Sequence, residues 1–380
     1  MTEPEKNKVN RARLTYLMIA GGAGIILLVL GIYQLLNFTD TTGFCARLCH
    51  SVMYPESTAH QASPHADVTC AACHVGPGLG NLAKSKINGL SELFSQVTNS
   101  YDKPIKTPVA NLPAAGGTCL NCHNPESYNG DVASVTTTYQ QDQANTPTTS
   151  TTILNIGGGQ AGTAQGIHWH ATAQVWYLAS DTTRNDIIWV GVVDKQGNLT
   201  EYYDESQKTP VSQALINQKA RLMDCTDCHN RTGHDFTTPE TLIDSAMSQG
   251  LIDPGIPYIK KEAMAVLGTS AVSLDAANAK IDALRSFYSA NYPQYAAQNA
   301  AKIDAAVARL KDIAQLTTFP DMNVTWNTYL NNDQHSEGEG CFRCHGKLIR
   351  TTPGTGQGLT LSDDCNQCHT FQNGGIAQNP

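Results

Sequence analysis

Twelve cysteines stand in this 380-residue chain, and every one belongs to a pair that a histidine follows directly. In order the groups are Cys45/Cys49/His50, Cys70/Cys73/His74, Cys119/Cys122/His123, Cys225/Cys228/His229, Cys341/Cys344/His345 and Cys365/Cys368/His369. Five read C-x-x-C-H; the first, CARLCH, carries one extra residue between its cysteines. At the observed frequencies of cysteine and histidine, chance supplies about 0.01 copies of C-x-x-C-H per chain. The spacing has a chemical reason. Two thiols add across the two vinyl groups of a haem, and the adjacent histidine is placed under the iron as an axial ligand. A zinc ribbon uses cysteine pairs two at a time and needs no histidine after each. A thioredoxin-like site needs one pair beside a βαβ unit, and a disulfide framework has no use for the fixed spacing. The sequence therefore predicts six covalently bound haem c groups.

From Leu14 to Phe38 there is no charged residue. A helix of that length reaches about 37 Å, enough to cross a hydrocarbon core of about 30 Å with some tilt. Lys6, Lys8, Arg11 and Arg13 precede the span, and the first cation after it is Arg47. By the positive-inside rule the N-terminus is cytoplasmic and the rest lies on the outer face. The expected location is thus the bacterial inner membrane, single-pass, with the haem domain in the periplasm, the side on which haem is attached. A cleaved signal peptide has a shorter apolar region and a small-x-small site, and Asn37-Phe38-Thr39-Asp40 offers none. Ala20 and Gly24 form a small-xxx-small pair of the kind that packs against another helix.

Beyond Phe38 there are 342 residues, 57 for each expected haem, so the haems themselves must form much of the core. The chain carries −8, and with four cations and two anions ahead of the span the outer part carries −10. That charge argues against a nucleic-acid partner and suits a redox protein with a basic patch.

The organisation predicted is a cytoplasmic tail (1–13), a transmembrane anchor (14–38), a trihaem region (39–130), a β-rich insertion (131–215), a fourth haem segment (216–240), a helical region (241–320) and a C-terminal dihaem region (321–380). The threonine-rich stretch from Thr136 to Thr152 reads as a loop. QVWYLA, IIWVGVV and LTEYY (174–179, 187–193, 199–203) are β-branched and aromatic runs that predict a small antiparallel meander. Leu274, Ala277, Ile281, Leu284 and Tyr288, then Ile303, Ala306, Leu310 and Ile313, recur at helical spacing on either side of Pro293 and predict a helical hairpin of plain core. The fold class expected is a haem-packed multihaem cytochrome c, mostly irregular and helical, with one transmembrane helix, a β insertion and that hairpin.

Six histidines lie outside the motifs: His60, His65, His168, His170, His234 and His335. Six irons need six further ligands to be six-coordinate, and the numbers agree. Most haems are therefore expected to be bis-histidine and of lower potential than Met/His haems. His168 and His170, in GIHWH, are expected on one side of an extended strand, serving two neighbouring haems.

FCARLCH, MYPE, CAACHVGPG, KSK and CLNCH, between Phe44 and His123, resemble the NapC/NirT family of membrane-anchored multihaem cytochromes. The resemblance covers the anchor and first three motifs; GIHWH, MDCTDCHNRTGH and GCFRCH resemble larger relatives with extra haems. It implies oxidation of menaquinol or ubiquinol beside the first haem, with electrons handed to a periplasmic cytochrome or other redox protein, or to further subunits of a complex. It also implies a quinol site lined by a lysine after the second motif and an acid further on, here Lys86 and Glu92, with Lys84 a competing choice. First motifs in the family typically read C-x-x-C-H-x-M, whereas here the motif is one residue longer and Met53 lies three after His50. Either His50 or Met53 is thus open as the first iron's ligand. Two rival functions stand beside quinol oxidation: a non-catalytic relay subunit of a membrane complex, and a terminal haem reductase. The absence of C-x-x-C-K and the histidine supply argue against the second.

Overall fold

A computed structural model describes residues 3–48, 50–109, 112–124, 130–159, 163–207, 210–269, 271–335, 338–351 and 358–371. The uncharged run folds as α1 (Glu3–Thr39), which extends well before the predicted span and one residue beyond it. Its part from Arg13 to Thr39 is long and apolar enough to cross a membrane, and none of it is buried against the rest of the chain. A helix satisfies its own backbone hydrogen bonds, so this surface suits lipid.

The chain turns sharply after α1. Thr41 Oγ1 accepts from the Phe44 amide at 3.1 Å at the start of α2 (Thr42–Leu48), which carries Cys45. Next come α3 (His50–Gln61), α4 (Cys70–His74) and α5 (Leu79–Thr98). Helix α5 ends at Asn99, whose positive φ of 53° makes the left-handed stop.

The threonine-rich stretch is not a loop. It forms a hairpin of β1 (Val132–Tyr139) and β2 (Pro147–Leu154) in continuous antiparallel register. Low hydrophobicity there reports a solvent-facing ladder of β-branched residues, with Thr137 and Thr149 hydroxyls 3.0 Å apart across the strands. After α6 (Trp169–Thr172) the predicted meander is found run for run as β3 (Gln174–Ala179), β4 (Ile187–Val193) and β5 (Leu199–Tyr203). Then α7 (Gln213–Lys219), β6 (Arg221–Leu222) and α8 (Cys225–Cys228) lead into the fourth motif.

Five helices follow: α9 (Pro239–Ser248), α10 (Ile259–Leu267), α11 (Leu274–Asn291), α12 (Pro293–Gln298) and α13 (Ala300–Thr317). The expected pair is α11 and α13, with Pro293 at the start of the short helix between them, where its missing N–H costs nothing. All nine positions read as helical core are buried or packed there, around Ile243, Ile252, Ile256 and Ala263. Inside this unit Lys260, 0% exposed, donates to Asp244 Oδ1 at 2.6 Å. Asn145, at the hairpin tip, donates to the carbonyls of Pro254 and Ile256 and accepts from the Lys260 amide, which ties hairpin to helices.

The chain closes through β7 (Thr318–Phe319), β8 (Val324–Thr325), β9 (Ile349–Thr351), β10 (Gly358–Thr360) and β11 (His369–Phe371). The main sheet has the order β10-β9-β5-β4-β3-β6. Its β6 end leads into the fourth motif and β9 follows the fifth, while β11 adds the sixth to the β1–β2 hairpin. The sheets thus position the three later motifs.

Candidate haem-ligand sites

Each motif from the second to the sixth is one tight turn: the helices α4 and α8, and 3-10 turns at Cys119–Asn121, Gly340–Arg343 and Cys365–Gln367. The amides of His123, His229 and His345 donate to the carbonyl of the first cysteine of their own motif at 2.8, 2.8 and 3.0 Å. Residues i, i+3 and i+4 of such a turn share one side, which brings both sulfurs and the imidazole to one cofactor. Asp224 and Asp364 cap two of the turns by accepting from the amides of Thr226 and Asn366. None of the eleven described cysteines is in a disulfide. Cys49 lies outside the described residues, and nothing is stated of the His50 side chain.

Cys122 closes the third turn by donating its amide to the Cys119 carbonyl at 3.2 Å, yet it is exposed, as are Cys73, Cys341 and Cys365. At these four positions polypeptide leaves the thiol uncovered, as attachment to a cofactor requires. Cys122 stays a candidate attachment residue through its spacing from Cys119 and His123, not through burial.

The fold brings motif and non-motif histidines together in pairs. Ring centroids stand 6.1 Å apart for His74 and His234, 6.0 Å for His123 and His65, and 6.5 Å for His229 and His168. They are 5.9 Å apart for His345 and His170, and 6.1 Å for His369 and His335. A metal bound by an imidazole nitrogen on each side, at about 2.0 Å from each, sets the two centroids roughly 6 Å apart. His60 is buried, and its ring centroid stands 6.1 Å from that of His234.

The protonation states fit as well. The Nδ1 atoms of His170, His234 and His345 lie 2.9, 2.9 and 2.6 Å from the carbonyls of Ile167, Glu56 and Ser362. A carbonyl can only accept, so each Nδ1 carries the proton and each Nε2 lone pair is left for a metal. Burial holds His168, His170, His234 and His369 below the ordinary imidazole range, and the partner histidine adds to this. A neutral ring is what an iron binds.

GIHWH departs from the expected strand. His168 has helical φ and ψ and immediately precedes α6, which contains His170. At about 100° per residue the two side chains point roughly 160° apart, so they reach opposite ways, to His229 and to His345. Gly166 makes this approach feasible: its φ is +69°, and a Cβ there would lie 2.7 Å from the Asn155 carbonyl. That carbonyl accepts from the Ile167 amide, while the Asn155 amide donates to the Cys368 carbonyl of the sixth motif at 2.8 Å.

Consecutive motifs are neighbours in space. The Cys45 thiol, hydrogen-bonded to that of Cys70, is pushed up by that bond and by burial, with Lys86 and Asp40 acting on it in opposite senses. Burial foremost, and with it a thiol of the adjoining motif, pushes up Cys73 (from Cys119), Cys225 (from Cys119), Cys228 (from Cys341) and Cys368 (from Cys341). Cys122 acts on Cys73 in the same sense, which places the third motif's second cysteine beside the second motif. Arg343, inside the fifth motif, donates to the Asp227 carbonyl of the fourth at 2.7 Å. Asp227 itself is buried and accepts from the Tyr177 hydroxyl at 2.6 Å and from Arg221. The sequence reading missed this Asp227–Arg343 joint; the only signal was a charged residue between the cysteines of both motifs.

Lys86 and Glu92 are not brought together. Lys86 donates to Thr39 Oγ1 at 2.9 Å and forms an ion pair with Asp40, while Glu92 is exposed. Lys84 lies instead with His74, Asn81 and Asn88 around a cleft of about 250 Å³. Met53 packs against the cluster of Val52, Phe236 and Phe319.

The model of the NapC/NirT cytochrome c family, N-terminal region, matches residues 7–153. The cytochrome c-type protein ImcH of Geobacter sulfurreducens is 41% identical over 349 residues, which are 91% of this chain and 68% of that protein. No solved structure matches the chain. With its N-terminal apolar helix and its cysteine–histidine motifs, the chain is a membrane-anchored, multihaem c-type cytochrome of electron transfer, and it belongs to the NapC/NirT cytochrome c family.

Proposed function

We propose that this chain carries six haem c groups and oxidises menaquinol or ubiquinol at the periplasmic face of the bacterial inner membrane. The electrons pass to a periplasmic or membrane-bound redox protein. The observation that carries the reading is the place of Lys86: it leaves an amphipathic helix and reaches the outer end of the membrane helix, five residues before Cys45 of the first motif. A quinol diffusing in the bilayer meets that point first. The haems supply the electron carriers when bound; the chain's own residues anchor, ligate and space them.

His234, His65, His168, His170 and His335 are assigned as the sixth ligands of the second to sixth irons, by their spacing from His74, His123, His229, His345 and His369. His60 then remains for the first iron. Met53 is engaged in an apolar cluster, which favours His50 as the motif ligand there. Motif contacts in chain order support a wire running from the first haem to the sixth.

The test is anaerobic mixing of the fully oxidised protein with a water-soluble naphthoquinol, following the reduced α-band. Fast reduction, lost in Lys86→Ala while dithionite still reduces every haem, is the expected result. Reduction by dithionite but not by quinol would instead make the chain a relay fed by a partner protein.

A further inference from the structure

We propose that Asp40, at the outer end of the membrane helix, is the carboxylate that takes the proton from quinol, with Lys86 orienting the quinol oxygen; this rests on the quinol reading above.

The geometry of α5 sets the role of Glu92 aside. Leu79, Leu90, Phe94 and Val97 are exposed and, at about 100° per residue, fall on one face of the helix. Leu79 is 85% and Val97 79% exposed, a stripe of the kind that lies in a membrane interface. Lys86 belongs to that same face. Glu92, six residues on, lies about 120° round the axis from Lys86, on the side with Asn81, Ser85 and Asn88. The two expected partners therefore face different ways.

What Lys86 does reach is Asp40. The two side chains are 30% and 31% exposed, so the ion pair is half-open and not sealed in a core. A carboxylate next to the carbonyl end of a long helix is disfavoured by the helix dipole, and a cation beside it offsets this. Thr39 adds a hydroxyl that accepts from Lys86 at 2.9 Å. The described groups that face Asp40 are thus Lys86 from α5 and, through its electrostatic effect, Cys45 from α2. Once haem is attached that sulfur is an uncharged thioether. Asp40 combines three things a proton acceptor needs here: the height of the membrane boundary, a cation to bind the quinol oxygen, and the first motif alongside.

The step balances. Quinol loses two protons and two electrons and becomes quinone. The haem that Cys45 and Cys49 would hold would supply a one-electron acceptor, so the two electrons would leave singly and pass on to the group of the next motif. A hydroxyl proton goes to an Asp40 carboxylate oxygen and from there to outside water, and the carboxylate then takes the second.

The experiment uses the full-length, haem-loaded protein in lipid nanodiscs, with a short-chain naphthoquinol as donor and a fluorescent hydroxyquinoline N-oxide as binding probe. Asp40→Asn is expected to lower kcat about a hundredfold, leave KM and probe affinity within about threefold, and abolish the pH dependence of the wild-type rate. Asp40→Glu is expected to recover most of the rate, and full dithionite reduction of each variant reports intact haems. Wild-type kcat in Asp40→Asn, or loss of kcat in Glu92→Gln alone, overturns the assignment. Equal loss of probe binding and rate in both Asp40 variants also overturns it, since that is the signature of a structural pin. A wild-type protein that quinol fails to reduce and the probe fails to bind removes the quinol reading itself, and Asp40's role with it.

Discussion

The rings of His74 and His234 face each other at 6.1 Å, although one closes the second motif and the other follows the fourth by five residues. If they ligate one iron, the segment of the fourth motif is clamped onto the second. Because covalent attachment depends on the cysteines alone, His234→Ala is expected to keep all haems while converting one of them from low-spin to high-spin. His234→Met is expected to keep it low-spin and raise its potential. Electron paramagnetic resonance with a redox titration reads both, and unchanged spectra in both variants would sink the pairing.

Arg343 is 6% exposed, and its side chain donates to the carbonyls of Gly340, Arg184 and Asp227. Among the described residues no carboxylate lies within ion-pair distance of it. A buried cation between the fourth and fifth motifs disfavours the more positive ferric state of both. Arg343→Gln should therefore lower two midpoint potentials and leave the remaining ones unmoved. A spectroelectrochemical titration in which all potentials shift together, or none does, contradicts this.

The sheet carries its own pH dependence. Burial works to raise Asp204, but hydrogen bonds from Ser206 and Gln207 and the charge of Lys347 outweigh it and bring the carboxyl from 3.8 to about 2. The unfolded chain holds that proton more tightly than the folded one. The stabilisation is thus full above about pH 4 and is lost as pH falls towards about 2. Asp204→Asn should flatten that window and cost about 1–3 kcal/mol at neutral pH, because Lys347 loses one of its two carboxylates. Thermal unfolding from pH 2 to 6 tests it, with an unaltered acid slope as the contrary outcome.

Much of this molecule is set by composition and spacing. Sulfur pairs followed by histidine admit one cofactor chemistry, and an uncharged run of bilayer length admits one helix, because both follow from local stereochemistry. The β runs at 174–203 and the helical faces of α11 and α13 were legible for the same reason, since burial imposes a period on the sequence. Thr136 to Thr152 was misread because strand and loop share a polar composition, and only pairing between β1 and β2, with β11 joining them, distinguishes the two. The strand expected for GIHWH became a helical turn through the Asn155 and Ile156 carbonyls that accept from its backbone. Which histidine meets which, and that Lys86 reaches Asp40 and not Glu92, only the tertiary structure decided. Those partners are tens to hundreds of residues apart or point from different faces of one helix, and no local preference carries that information; the packing of the whole chain does.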